Sequence, residues 1–196
     1  MLYLVRHGRA AAGVEDLDPG LDDLGHTQAR AAADALVHIA ARRLVVSPLR
    51  RTRETAEPIA TALGLAPEIR DEVAEVFDSE LAVADRRALL GPLLSGLWSE
   101  QTDELRRFRD RVLSALTSFA QTNEPTIVVS HFVAISVAIG AALGSDRVSP
   151  AAVPNASITR LELRNEALTL IEAGSVAHLS DDQVTHAHTA RAGHRG

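Results

Sequence analysis

Three short apolar runs constrain this chain more than any other feature. Residues 2–5, 44–46 and 126–129 are each only a few residues long, each ends in a polar or Gly/Pro signal, and each is followed by helical periodicity. Apolar runs of that length without polar alternation suit strands covered on both faces, and strands alternating with helices make a parallel sheet. The pattern predicts an α/β fold: a three-layer α/β/α sandwich around a mostly parallel central sheet. A chain of 196 residues has material for one such core.

The helices between the runs carry their own punctuation. The first is predicted to start at Asp22, a good N-cap, and to continue through residues 24–40 with apolar side chains at helical spacing. A second spans 49–63, bends at Pro58 and stops at Gly64. Residues 80–97 and 103–120 read as two more, the latter with Leu105, Phe108, Val112, Leu116 and Phe119 along one face. Another runs from 131 to 143 and is closed by Gly144. Residues 157–174 then alternate with a period of two around Asn165 and Glu166, the pattern of a hairpin at a sheet edge. Periodicity disappears from Ser175 onward, so a domain over 1–174 followed by a mobile tail over 175–196 is expected.

Composition narrows the function. With 46% hydrophobic and 23% charged residues the chain is globular, and a net charge of -6 argues against general affinity for nucleic acid or an anionic membrane. The absence of cysteine excludes disulfides, thiolate catalysis and Cys-ligated metal. The first apolar run is shorter than the roughly 7–15 residues of a signal-peptide core, and no segment approaches a membrane span, so a cytoplasmic protein is expected.

Ligands of open α/β sheets bind at the carboxyl ends of the strands. Here those ends read "YLVRHGRA" at 3–10, "SPLRRTRETA" at 47–56, and Ser130 with His131. Two histidines and at least two arginines therefore converge on one edge. Guanidinium forks match phosphoryl oxygens, and a helix N-terminus beneath them adds backbone donors, so the expected ligand is an anionic phosphate. A neutral imidazole is also a nucleophile toward phosphorus, and neighbouring arginines lower its pKa and keep it neutral.

Ordered blocks now carry a resemblance: "LVRHG" at 4–8, "LDDLGHTQA" at 21–29, "SPLRRTRETA" and "VVSHF" at 128–132. Over roughly residues 1–165 the chain resembles the histidine phosphatase superfamily, in its phosphoglycerate-mutase-like branch. The resemblance implies that His7 is phosphorylated, that Arg6 and Arg51 hold the phosphoryl group, and that His131 donates to it. Gly8 is expected to let the backbone approach the ligand, and Gly25 to let the first helix pack close. The family also uses a Glu after the second helix as general acid. Glu72, Glu75 and Glu80 are candidates, and Val73-Ala74-Glu75 fits the family's spacing, which selects Glu75. Arg9 stands where many members carry Glu or Gln, and is expected at the mouth, favouring a substrate with a second anionic group. No metal and no cofactor are implied.

The reading is a metal-independent phosphomonoesterase of the histidine acid phosphatase type, acting on a small phosphate ester. The alternatives are a phosphoglycerate mutase, whose members in this family are usually longer, and a binding module without turnover. Arg50 and Arg53 read as solvated helix charges, the arginines at 106–111 as surface ion pairs, and Arg86 with Arg87 as a helix face that can rim the pocket. The histidines at 186, 188 and 194 read as adventitious in a tail.

Overall fold

The computed structural model describes residues 1–11, 16–77, 83–122 and 124–185, with the backbone alone for 83–87. The three apolar runs become β1 (Leu2–Arg6), β2 (Arg43–Val46) and β4 (Thr126–Ser130). A short β3 (Pro67–Ile69) and the hairpin strands β5 (Ile158–Arg164) and β6 (Ala167–Ser175) complete a six-stranded sheet in the order β3-β2-β4-β1-β5-β6. The pairs β3/β2, β2/β4 and β4/β1 are parallel, while β1/β5 and β5/β6 are antiparallel.

Alternate residues of the central strands feed two cores. Leu2, Leu4, Val45 and Val128 face one layer, while Val5, Leu44, Val46, Ile127 and Val129 face the other. The second layer is built by α1 (Asp23–Leu36) and α2 (Arg50–Leu63); α4 (Asp103–Gln121) and α5 (Phe132–Leu143) build the first, joined by Leu93 of α3 (Val83–Ser95). Every strand residue of β4 is buried, as a strand sandwiched between helical layers requires.

The predicted punctuation operates in the structure. Asp22 caps α1, its carboxylate accepting from Gly25 N at 2.7 Å. Gly64 and Gly144 end α2 and α5 with φ of +63° and +61°. Asn165 and Glu166 both take positive φ at the hairpin, the geometry of a type I′ turn that matches strand twist. Four features differ. α1, expected to run to residue 40, ends at Leu36, where Ile39 N turns back to Leu36 O at 2.9 Å. β3 escapes pattern reading because it has three residues, opens with Pro67 and is exposed. The helix expected over 80–97 is described over 83–95, because Gly96 intervenes and Trp98 N turns to Asp146 O at 2.8 Å; residues 80–82 lie outside the described residues. Residues 176–185, expected in a mobile tail, are instead tied to the body: Gln28 Nε2 donates to Gln183 O at 2.7 Å, and His178 Nε2 to Ala156 O at 3.0 Å. Short polar connections of this kind lack hydrophobic periodicity yet are held by hydrogen bonds. The histidines at 186, 188 and 194 lie outside the described residues.

Candidate active site

Sheet register assembles the site. β4 lies between β1 and β2, with Arg6 opposite Ser130 and Val46 opposite Val129, so the next residues along, His7, Ser47 and His131, emerge side by side. The ladder continues past the strand ends through His7 N to Ser130 O at 3.0 Å and Ser47 N to Val129 O at 3.1 Å. The rings of His7 and His131 stand 5.3 Å apart at 59°. Arg51, in the first turn of α2, reaches between them: its Nε donates to His7 Nε2 at 3.3 Å, and its terminal NH2 to His131 Nδ1 at 3.2 Å.

These contacts fix the tautomers, because arginine has no acceptor. His7 Nδ1 sits 2.7 Å from Gly8 O and donates to it, which leaves the lone pair on Nε2. His131 Nδ1 accepts from Arg51, so its proton lies on Nε2 and is given to Ser47 Oγ at 2.7 Å. Burial pushes the pKa of both imidazoles well below the ordinary value, and Arg51 and Arg6 push in the same direction. Both rings are therefore neutral at physiological pH. Arg6 donates to Val153 O at 2.6 Å and lies over the Phe132 ring. Its Nε is buried with no hydrogen-bond partner among the described residues, an orphan donor of the kind an anion satisfies. Burial lowers the Arg6 pKa to about 10, opposed by the carboxyl of Glu75.

The two carboxyl candidates are held differently. Glu72 is bound by Arg70, with contacts of 2.6 and 3.2 Å, which drives its pKa down to about 2 and keeps it ionised. Glu75 is desolvated, which raises its pKa against the opposing pull of backbone donors from Val76 and Val133 and of Arg51 and Arg6. It lines a cavity of about 1480 Å³ bounded also by Val76, Phe77, Leu93, Leu105 and Phe108. Its placement depends on Ser130 Oγ, which donates to Val73 O at 2.7 Å and pins the turn before it. Glu80 lies outside the described residues, as do the side chains of Arg86 and Arg87.

Gly8 and Arg9 are placed otherwise than expected. A Cβ on Gly8 would meet Gly25 O at 2.5 Å, and one on Gly25 would meet Arg9 O at 2.1 Å, so these glycines serve the contact between the nucleophile loop and α1. The Gly8 N–H is given to Thr55 Oγ1 at 3.0 Å. The Arg9 guanidinium pairs with Asp22 at 2.6 Å on the exposed side of the loop and does not line the cavity. The N-terminus of α2 also departs from expectation, since Arg50 N donates to both carboxylate oxygens of Asp18 at 3.0 Å, an anion built into the chain. Arg50 itself pairs with Glu54. Ser47, Thr55, Gln28 and Asn155 were given no role by sequence reasoning; Ser47, Thr55 and Gln28 lie inside recognised blocks and so carried a signal, whereas Asn155 carried none.

Among the described residues no group of acids and histidines could hold a metal ion, and no helix is long and apolar enough to cross a membrane. Among solved structures, a phosphoserine phosphatase from Entamoeba histolytica, crystallised with phosphoserine, shares 20% identity with a TM-score of 0.70, covering 91% of this chain and 98% of that one. A mycobacterial glucosyl-3-phosphoglycerate phosphatase shares 22% with a TM-score of 0.68, covering 89% and 99%. These share the fold. A protein of Erwinia tasmaniensis named as a probable phosphoglycerate mutase is 29% identical over 92% of this chain and 95% of its own length. The model of the histidine phosphatase superfamily, branch 1, matches residues 2–175, and the chain belongs to that superfamily.

Proposed function

We propose that the protein is a phosphomonoesterase that works through a phosphohistidine on His7 and needs no metal for either step. The observation that carries this reading is the pairing of a neutral His7, its Nε2 facing Arg51 and its ring beside that of His131, with a carboxyl at Glu75 whose pKa is raised. In the first step Nε2 attacks phosphorus in line, the N–P bond forms, the P–O ester bond breaks, and Glu75 gives its proton to the departing oxygen. In the second step the Glu75 carboxylate takes a proton from water, the water oxygen bonds to phosphorus, and the P–N bond breaks to return neutral His7. Arg6, Arg51 and His131 meet the charge on the equatorial oxygens. Ser47 can donate as well as accept, so it stays bonded to His131 Nε2 when that ring carries its proton on Nδ1 and gives it to a phosphoryl oxygen.

A mutase reading has one finding in its favour, the name borne by the curated relatives. Length does not separate the two readings, because the chain spans 95% of the Erwinia protein. What favours hydrolysis is that Glu75, the proposed base, lines a wide cavity from which its carboxylate can take up water. Turnover of a phosphomonoester panel in the presence of chelator tests the proposal. Release of phosphate from several esters supports it, isomerisation of a phosphoglycerate faster than its hydrolysis selects the mutase, and tight binding without turnover of any ester leaves a binding module.

A further inference from the structure

The segment after β6 lies beyond the family match, which ends at residue 175, yet it is bonded to the residues that hold the nucleophile. Thr185 Oγ1 accepts from Asn155 N at 3.2 Å and donates to Asn155 Oδ1 at 2.9 Å. With Oδ1 so engaged, the Asn155 amide presents Nδ2 to the nucleophile loop, donating to His7 O at 3.1 Å and reaching Gly8 O at 3.5 Å. Gly8 O is the carbonyl that takes the proton of His7 Nδ1. The same segment touches the loop by a second route: Gln28 accepts from Arg9 N at 2.8 Å while donating to Gln183 O. A third runs through His178, which donates to Ala156 O; Ala156, at a φ of +55°, gives its N–H to His7 O at 3.2 Å.

We propose that residues 176–185 form a strap that positions the nucleophile, with Thr185 acting through Asn155 on the carbonyls of His7 and Gly8. The inference rests on the reading of His7 as nucleophile. A strap that only added stability would have no need to converge, by three separate residues, on residues 7–9. Convergence matters here because in-line attack tolerates little error: a displacement of about 1 Å can cost on the order of 10²-fold in rate. Asn155 is a positioning residue, since it touches the backbone of the loop and not the reacting atoms.

The test compares Thr185→Val, Thr185→Ser and Asn155→Ala with the wild-type full chain. Each is measured for the rate of phosphohistidine formation from p-nitrophenyl phosphate in rapid quench, for inorganic phosphate affinity, for melting temperature, and for the ¹⁵N shifts of His7. Thr185→Val, which keeps the shape and loses the hydroxyl, is expected to slow formation about tenfold with phosphate affinity changed less than threefold, and Asn155→Ala to slow it further. The His7 shifts move in both, and Thr185→Ser restores them. Wild-type formation rates in either Thr185→Val or Asn155→Ala overturn the proposal, as does a loss that tracks melting temperature with unshifted His7 signals. His7→Ala runs alongside: if it still turns over, the nucleophile reading fails, and if it is dead while the strap variants are unimpaired, only the strap fails.

Discussion

The phosphoryl cradle and the wall of the cavity beside it are built on opposite plans. The cradle stands on three adjacent strand ends whose backbone hydrogen bonds continue into the site; His7, Ser47, Arg51 and His131 are all buried, and each makes at least one hydrogen bond to another. The cavity wall comes from the turn over 71–77, the end of α3 and the start of α4, and mixes Val76, Leu89 and Leu105 with charges at Asp71, Glu104, Arg107 and Arg111. Residues in the cradle are fixed by sheet register, whereas those in the wall are fixed by connections that can change without disturbing the sheet. On the proposed reading the chemistry is thereby separated from the choice of leaving group, and substitutions on the two sides should differ in kind.

His7→Ala gives the largest effect. Removing the nucleophile should reduce turnover to background on every ester, and no phosphoenzyme should form in rapid quench. An effect that depended on the ester would place His7 on the wall side of the comparison.

Glu75 stands at the border and gives the sharpest split. Glu75→Gln should slow alkyl phosphate hydrolysis by ~10²–10⁴-fold, the usual worth of a general acid, and slow first-step attack on a nitrophenyl phosphate far less, because that leaving group needs no proton. Phosphohistidine should then accumulate, since its discharge needs the same carboxylate as base. The pH dependence follows from directions. The first step needs protonated Glu75, so kcat/KM for an alkyl ester should fall as pH rises through its raised pKa, and Glu75→Gln should flatten that limb. His7 is pushed well below its ordinary value, so no limb from its protonation should appear near pH 6.5. Equal losses on both ester types would show that Glu75 holds the cradle and moves no proton.

Arg51 belongs to the cradle by its hydrogen bonds to His7 and His131. Its replacement by Ala should cost ~10²–10³-fold, the worth of one preorganised donor to a developing charge. Arg50→Ala, one residue earlier and paired with Glu54 on the surface, should cost much less. Comparable losses in kcat for the two variants would mean that the N-terminus of α2, and not one guanidinium, supports the phosphoryl group.

Arg107→Ala probes the wall. It should change the ranking of esters by about fivefold, the order of one exposed charge contact, and leave phosphohistidine formation from p-nitrophenyl phosphate unaltered. A uniform loss over all esters would erase the distinction between wall and cradle.

The same distinction explains what could be read from the sequence. β1, β2 and β4 announced themselves because strands buried on both faces must be apolar throughout, and α2 and α5 because Gly64 and Gly144 stop them in the left-handed conformation that glycine takes without strain. His7 and His131 followed, since strand ends in a parallel sheet meet at one edge, and Arg51 was singled out from Arg50 by its place in the family block. Glu75 came from a family spacing, and its physical setting, desolvated while Glu72 is bound by Arg70, exists only in three dimensions. Gln28 stood inside the block at 21–29, but its bonds to Arg9 and Gln183 join segments far apart in the chain, and nothing local distinguishes Asn155 from other polar residues of a loop. Gly8 shows a demand that the sequence did not announce, a close approach to Gly25 O that leaves no room for a Cβ.

The smallest effect is expected at Arg9. Its position next to the nucleophile loop suggested a second anion site, but its guanidinium bonds to Asp22, and roughly half of the side chain is exposed, with a side-chain relative accessibility of 49%. Asp22 is itself engaged as the cap of α1, so the pair ties the loop to a helix end and turns its charge away from the cavity. An exposed pair of this kind is worth ~0.2–1 kcal/mol in water and less in salt. Arg9→Ala should therefore change KM by less than about twofold, for esters with one anionic group and for those with two, and lower stability by no more than that amount. Steady-state kinetics on a matched pair of esters, one with a carboxylate and one without, reads the difference directly. A tenfold rise in KM confined to the carboxylate ester would mean that Arg9 leaves Asp22 for the substrate, and the cradle would then extend one residue further along the loop than its hydrogen bonds place it.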